Sequence, residues 1–234
     1  MDFVGGGFVK CKLIVDPTRA GVLCIDLQEE HRKDSRYLVE GFEAILQRVR
    51  RIQQVARALG IPVYHSAYVV DPSKPGRPFH PTMPDGASAF SDVNDPLTAL
   101  CPEVGPVGEE SVLIKSDAST FAQADVPQLF RARGIEWLFI VGVWTEACIT
   151  ATVKDAVAMG FRVALVKDAC GSGTTAMHQT AVLNMANRLY GGAVTDTEGA
   201  CGLLAGEEVE VWRVQGAVPI RFTYDNAAQL YEAL

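Results

Sequence analysis

The sequence predicts an α/β protein of three layers, α/β/α, around a central, mostly parallel sheet of about six strands. Two observations carry this. Apolar runs of strand length alternate along the chain with longer amphipathic segments, and the runs are apolar throughout, as strands buried on both faces are. Repeated βα units of that kind build a parallel sheet with helices on both faces.

The elements follow in order. "AGVLCID", Ala20 to Asp26, reads as the first buried strand. In "LVEGFEAILQRVRRIQQVARALG" the residues Leu38, Phe42, Ile45, Val49, Ile52, Val55 and Leu59 recur at helical spacing, and Gly60 closes the helix. "IPVYHSAYVV" is the second strand. The irregular stretch from Asp71 to Pro96, rich in Pro, Gly and Asp, is long enough to be functional, and is read as a lid or a partner-contacting arm. Then come strand "SVLIK", a helix near "QADVPQLFRARG", strand "EWLFIVGV", helix "EACITATVKDAVAMG", strand "RVALVKDA", helix "TAMHQTAVLNMANRLYGG" and a short strand "AVTDT". From Glu207 the tail "EEVEVWRVQGAVPIRFTY" alternates like a hairpin. The expected organisation is therefore one domain over 1–234, with a core at about 20–204 and a C-terminal extension at about 207–234.

Composition excludes several classes of function. The net charge of −7, with no basic run, argues against nucleic acid or an anionic membrane surface as partner. No uncharged apolar run approaches the ~20 residues of a membrane helix. The opening "MDFVGGGFVKCKLIVDPTRA" lacks a basic segment followed by a long apolar one, so a cytoplasmic location is expected. Cys11, Cys24, Cys101, Cys148, Cys170 and Cys201 show no CxxC and no regular spacing, hence neither a zinc site nor a disulfide framework.

In a parallel sheet the reactive groups belong at the carboxyl ends of the strands. Asp26 ends the first strand, Lys115 ends the third, and Cys148 begins the helix after the fourth. Each alone has a bland reading: a cap, a solvated lysine, a core cysteine. Together they line one rim. A thiol attacks as thiolate, a helix amino terminus and a nearby ammonium lower its pKa, and a carboxylate can take its proton. Cys148 is thus the expected nucleophile, Asp26 the proton shuttle and Lys115 the charge that holds both. His31, His65, His80 and His178 lack metal-ligand spacing and are read as structural or exposed.

The segments "VLCIDLQEE", "VLIKSDASTF" and "FIVGVWTEACITATVKDAVAMGFRVALVKDA" resemble the isochorismatase-like cysteine hydrolases, which include nicotinamidases and N-carbamoylsarcosine, ureidoacrylate and biuret hydrolases. The likeness spans roughly Ala20 to Leu204. It implies an Asp26, Lys115, Cys148 triad, a cis bond between Val143 and Trp144, and an oxyanion hole made by the backbone N–H groups of Trp144 and Cys148. It also implies a homo-oligomer, dimer or tetramer.

Departures from the family narrow the expectation. Relatives that cleave the vinyl ether of isochorismate work without the cysteine, so Cys148 points to amide or carbamoyl substrates. Nicotinamidases carry an Asp-x-His that binds metal, and "VYHSAYVVDPSKPGRPFHP" has none, so neither metal nor cofactor is expected. Trp144 either stacks on a planar substrate or packs against the sheet. Phe90 and Phe121 are read as pocket walls, and Arg77 and His80 as solvated loop groups that could also read a substrate carboxylate. Glu146 suits the helix dipole, Asp168 is a structural hydrogen-bonder, and Gly171 and Gly173 mark a turn. The expected function is hydrolysis of a C–N bond in a small amide or carbamoyl compound through a thioester, releasing ammonia or an amine. The rivals are a hydrolase of another small substrate, a non-catalytic binding relative, and a redox protein pairing Cys148 with Cys170.

Overall fold

The computed structural model describes residues 10–74, 79–214 and 219–234. Their elements are β1 (Lys10–Leu13), β2 (Ala20–Ile25), α1 (Glu30–Lys33), α2 (Phe42–Ala58), β3 (Val63–Tyr68), β4 (Val112–Lys115), α3 (Val126–Ala132) and β5 (Trp137–Val143). A π-helical turn, Thr145–Ile149, leads into α4 (Thr150–Ala158), followed by β6 (Arg162–Gly171), α5 (Thr175–Ala186), β7 (Ala193–Thr195), α6 (Thr197–Leu204), β8 (Val209–Trp212) and α7 (Ala227–Ala233).

The strands form one sheet in the order β1-β8-β7-β6-β5-β2-β3-β4. From β7 to β4 every neighbouring pair is parallel, and these are the six strands expected from the sequence. Two antiparallel strands extend the β7 edge: β8 beside β7, and β1 beside β8. The hairpin expected in the tail is corrected here. Residues 215–218 lie outside the described residues, and β8 takes its partners from β1 and β7, because its alternating apolar side chains Val209 and Val211 complete the core under α6. The first helix is also shorter than its apolar periodicity: Leu38 and Leu59 fall outside α2 and are exposed.

Alternation along the buried strands divides the core in two. On β5, Trp137, Phe139, Val141 and Val143 face α2 and α6, whereas Leu138 and Ile140 face the layer of α3, α4, α5 and α7. Strand β2 repeats the pattern, with Val22 and Cys24 on one side and Leu23 and Ile25 on the other. Period-2 burial on both faces is what makes these runs apolar throughout.

One backbone approach in the sheet bears on the site. Gly142 pairs with Ile25 and has φ +122°, and a Cβ there would stand 2.0 Å from the Ile25 carbonyl oxygen. Only glycine lets β5 close on β2 at this point. The next residue after Ile25 is Asp26, and six residues after Gly142 is Cys148.

Candidate active site

Adjacency in the order β5-β2-β3-β4 places Cys148, Asp26 and Lys115 on one rim. Lys115 is the last residue of β4, and its Nζ donates to Asp26 Oδ2 at 2.7 Å and to Cys148 Sγ at 3.4 Å. The ammonium and the carboxylate are out of water, with side-chain exposures of 1% and 3%. A buried ion pair of this kind is held only if its remaining valences are met. Ser66 Oγ donates to Asp26 Oδ1 at 3.2 Å, and Lys115 Nζ also donates to the Asp117 carbonyl oxygen at 3.2 Å. Asp26 itself sits at φ +52°, the left-handed region that aspartate tolerates better than most residues. This turns its side chain back along the rim at the end of β2.

The electrostatics correct one expectation. Burial pushes the Cys148 thiol up to about 12, the Asp26 charge adds to that, and Lys115 opposes it without prevailing. The thiol was expected to be depressed by the ammonium, but the ammonium is shared with a carboxylate that lies closer to it than the sulfur does. For Lys115, burial works against the charge and is outweighed by Asp26 and then Cys148, so its pKa lies above the ordinary value. The resting arrangement is a neutral thiol beside a closed ion pair.

The remaining expectations divide. The bond between Val143 and Trp144 is cis. Trp144 is half-buried and packs against the α2 side of the core, and its indole N–H donates to His31 Nδ1 at 3.2 Å. His31 is therefore neutral with its proton on Nε2, in keeping with burial that lowers its pKa against the pull of Glu30 and Asp26. Phe90 lies at the rim among Tyr37, Tyr68 and His80, with ring centroids 5.1 to 5.7 Å away. Phe121, expected as a second wall, is 3% exposed and packs on Phe130 and Phe161. The 3-10 turn at Thr120–Ala122 points its ring into the core, and its neighbours Ala122 and Gln123 face the cleft instead.

That cleft, ≈ 590 Å³, runs between β4 and the long loop and is walled by Tyr68, Val70, His80, Lys115, Asp117 and Gln123. The Lys115 ammonium also lies over the Tyr68 ring, 5.0 Å from its centroid. The loop after β3 is fastened to the rim. Glu30 accepts from Ser91 N at 2.9 Å and from Ser91 Oγ at 2.5 Å, and Tyr37 Oη donates to the Ala89 carbonyl. Arg77 lies outside the described residues. His80 Nε2 meets Ser88 Oγ at 2.6 Å, and that hydroxyl donates to the Phe90 carbonyl, so the ring's donor is Nε2–H.

Several contributors carried no sequence signal. Ser66 and His31 are ordinary strand and helix residues until the register sets them beside Asp26. Gln28 is fully buried and clasps β3, donating to the Tyr68 and Thr98 carbonyls and accepting from Tyr68 N. Glu146 accepts from Ser172 Oγ at 2.5 Å, and Asp168 accepts from Thr197 Oγ1 at 2.9 Å. Cys170 is buried, its thiol faces the Ile140 carbonyl, and both it and Cys148 are free thiols. Among the described residues Glu29, Cys101 and Glu103 cluster as three metal-ligating types, but Arg32 already bonds both carboxylates. A second cavity, ≈ 520 Å³, lies at the ends of β6 and β7 and contains none of the three rim residues. Among the described residues no helix is long and apolar enough to cross a membrane.

Comparisons with known proteins bear on the family and the fold. The Isochorismatase domain matches residues 20–199. Maleamate amidohydrolase of Pseudomonas putida is 27% identical over 186 residues, covering 76% of this chain and 83% of that protein. N-carbamoylsarcosine amidase of an Arthrobacter species is 25% identical, covering 76% of this chain and 69% of that protein. Ureidoacrylate amidohydrolase RutB of Caulobacter segnis is also 25% identical, covering 82% and 89%. Among solved structures, a cysteine hydrolase from Pseudomonas syringae pv. phaseolicola shares the fold at TM-score 0.73 and 20% identity, covering 84% of this chain and 97% of that one. An isochorismatase family protein from Desulfovibrio vulgaris does so at TM-score 0.72 and 23% identity, covering 80% and 98%.

Proposed function

Because the chain belongs to the isochorismatase family, we propose that it is a cysteine-dependent amidohydrolase, cleaving the C–N bond of a small amide, carbamoyl or ureido compound. The observation that carries this is the placement of one ammonium, Lys115 Nζ, between the Asp26 carboxylate and the Cys148 thiol. Maleamate, N-carbamoylsarcosine and ureidoacrylate, named for the relatives, define the range of substrates to test.

The chemistry runs on one proton. Asp26 takes the thiol proton as Sγ attacks the substrate carbonyl, and the negative charge passes to the carbonyl oxygen. The backbone N–H groups of Trp144 and Cys148 are the proposed donors to that oxygen. Collapse of the tetrahedral intermediate breaks the C–N bond, and Asp26 delivers its proton to the leaving nitrogen. A thioester on Cys148 remains. Asp26, again a carboxylate, draws a proton from water, hydroxide attacks the thioester, and the acid leaves as the proton returns to sulfur. Lys115 stays cationic throughout and keeps the carboxylate in place. By analogy with the family we also propose a cytoplasmic homo-oligomer, dimer or tetramer.

The test is ammonia release from a panel of small amides and carbamoyl compounds. Cys148→Ala, Cys148→Ser and Asp26→Asn are run beside the wild type, each checked for fold by circular dichroism. Turnover that all three variants lose, with a thioester trapped on Cys148 by mass spectrometry, supports the reading. Turnover that survives Cys148→Ala assigns the hydrolysis to another group and refutes it.

A further inference from the structure

The C-terminal helix does not touch the three rim residues, yet a chain of hydrogen bonds runs from it to the turn that carries Cys148. Tyr231, on α7, faces His178 of α5: its Oη lies 3.0 Å from His178 Nε2. The other ring nitrogen, Nδ1, lies 2.8 Å from Thr145 Oγ1. Thr145 opens the π-helical turn three residues before Cys148, and its hydroxyl donates to the Gly171 carbonyl at 2.8 Å. All three side chains are buried, with exposures of 8% for Tyr231, 9% for His178 and none for Thr145.

Each flanking hydroxyl also has a backbone carbonyl as acceptor: Thr145 Oγ1 donates to Gly171 at 2.8 Å and Tyr231 Oη to Lys167 at 3.4 Å. With these hydroxyls on its two nitrogens, the neutral ring is hydrogen-bonded at both in either tautomer. Burial lowers the pKa of His178 to about 4, in agreement with a neutral ring. The bonded path runs from Tyr231 Oη through Nε2 and Nδ1 of His178 to Thr145 Oγ1 and the Gly171 carbonyl. Gly171 in turn pairs with Val143 at the end of β5, so Thr145 Oγ1 is held between the sheet and α5. The turn's own backbone adds to the grip, with Ala147 N and Ile149 N both donating to the Trp144 carbonyl.

We infer that His178 is a positioning residue for the Cys148 turn, that Tyr231 of the C-terminal helix anchors its far ring nitrogen, and that the extension after β8 thereby tunes the reactive centre. The inference rests on the hydrolase reading for its kinetic arm and on geometry alone for its other arm. His178 touches neither the thiol nor the cleft. What it governs is where the turn places the sulfur relative to the Lys115 ammonium, and misplacement on the scale of an ångström is enough to lower a chemical step by ~10-fold to ~100-fold.

The experiment compares two replacements of one side chain. In His178→Asn the amide occupies the place of Nδ1 and keeps the hydrogen bond to Thr145; in His178→Gln the amide reaches the Nε2 position and leaves Thr145 without that partner. With the amide that the wild type turns over, His178→Gln is expected to lower kcat about tenfold or more while KM stays within about twofold, and His178→Asn to stay within about threefold in both. Tyr231→Phe, which removes one oxygen, is expected to lower kcat a few-fold. The second arm is hydrogen exchange read by mass spectrometry. Amides of 143–149 should exchange about tenfold faster in His178→Gln, with β3 unchanged, and at the wild-type rate in His178→Asn. A loss shared equally by Gln and Asn, with faster exchange throughout the chain, would make His178 merely structural and overturn the inference. So would wild-type kcat and exchange in His178→Gln. If His178→Gln does not fold, Thr145→Val against Thr145→Ser decides between the same outcomes. Should the wild type hydrolyse no amide, the proposed function fails while the exchange arm still decides this one.

Discussion

Asp26→Asn should make Cys148 more reactive toward an electrophile while abolishing hydrolysis. In the resting protein the thiol is held at about 12 by burial and then by the Asp26 charge, against Lys115. Replacing the carboxylate by an amide of the same shape removes its repulsion of the thiolate and leaves the ammonium, 3.4 Å from the sulfur, unopposed. Asp26 Oδ2 and the sulfur bond the same Nζ and lie within about 6 Å of each other, and at an effective dielectric constant of ~20 that repulsion is about 3 kcal/mol, or ~2 in pKa. Such a fall raises the thiolate fraction at pH 8 from about one in ten thousand to about one in a hundred, roughly a hundredfold. A less basic thiolate is a weaker nucleophile, by ~8-fold for that fall, so labelling should quicken by about tenfold. Hydrolysis should drop by ~100-fold or more, because the proton carrier is gone. The assay is alkylation by iodoacetamide at pH 8, followed by peptide mass spectrometry, with the half-buried Cys11 and Cys201 as internal standards. Labelling of Cys148 that is unchanged or slower in a folded Asp26→Asn protein would refute the claim that this carboxylate holds the thiol protonated.

Three further outcomes are expected. Lys115→Met should destabilise the fold by ~3–5 kcal/mol in urea titration, since it strands the Asp26 charge at 3% exposure, and should remove activity as well. Gly142→Ala should lower stability by about 3 kcal/mol or more in the same titration, because its Cβ would meet backbone rather than a movable side chain. Stability should fall in two acid steps. Below pH 6.5 the unfolded chain protonates at position 178 while the folded ring stays neutral down to about 4, so that contribution is present above 6.5 and lost between 6.5 and 4, and His178→Asn should shrink this step to the part contributed by His31 and His65, which burial also lowers. Glu29, bonded to Arg32, and Glu110, where burial is outweighed by Arg57 and His65, are both depressed from 4.5 to about 2, so theirs is present above 4.5 and lost between 4.5 and 2. Thermal melts across pH 2–8 read both.

What the sequence disclosed was the rim and its occupants, because both depend on local features. A strand that is apolar throughout is buried on both faces, a parallel sheet gathers its carboxyl ends, and a charged residue or cysteine at such an end has one place to go. What it concealed depends on register and on shared partners. Ser66 reaches Asp26 only because β3 pairs with β2 in one register, and His31 reaches Trp144 across 113 positions of sequence. Phe121 reads like a pocket wall in "STFAQ" and becomes core because the 3-10 turn points it at Phe130. The direction of the thiol's pKa is hidden for a related reason: the ammonium beside the thiol does lower it, but burial and the Asp26 charge, which only the fold brings there, outweigh it.

That reversal makes chemical sense of the centre if it works as the amidohydrolase proposed above. An amide nitrogen leaves poorly as an anion, so the site must hold a proton to give it, and a thiolate formed in advance would have released that proton to solvent. A thiol at about 12 retains it. The Asp26 carboxylate, kept close by Lys115, can accept that proton only as sulfur begins to bond to carbon, when the negative charge moves from sulfur onto the carbonyl oxygen. The proton then sits on Asp26 as the nitrogen becomes basic in the tetrahedral intermediate. In the proposed mechanism the carboxylate that adds to burial in holding the resting thiol protonated thus also supplies the acid for the leaving group. This is why removing its charge should separate the two properties, raising reactivity toward an alkylating agent that needs no proton and lowering it toward an amide that does.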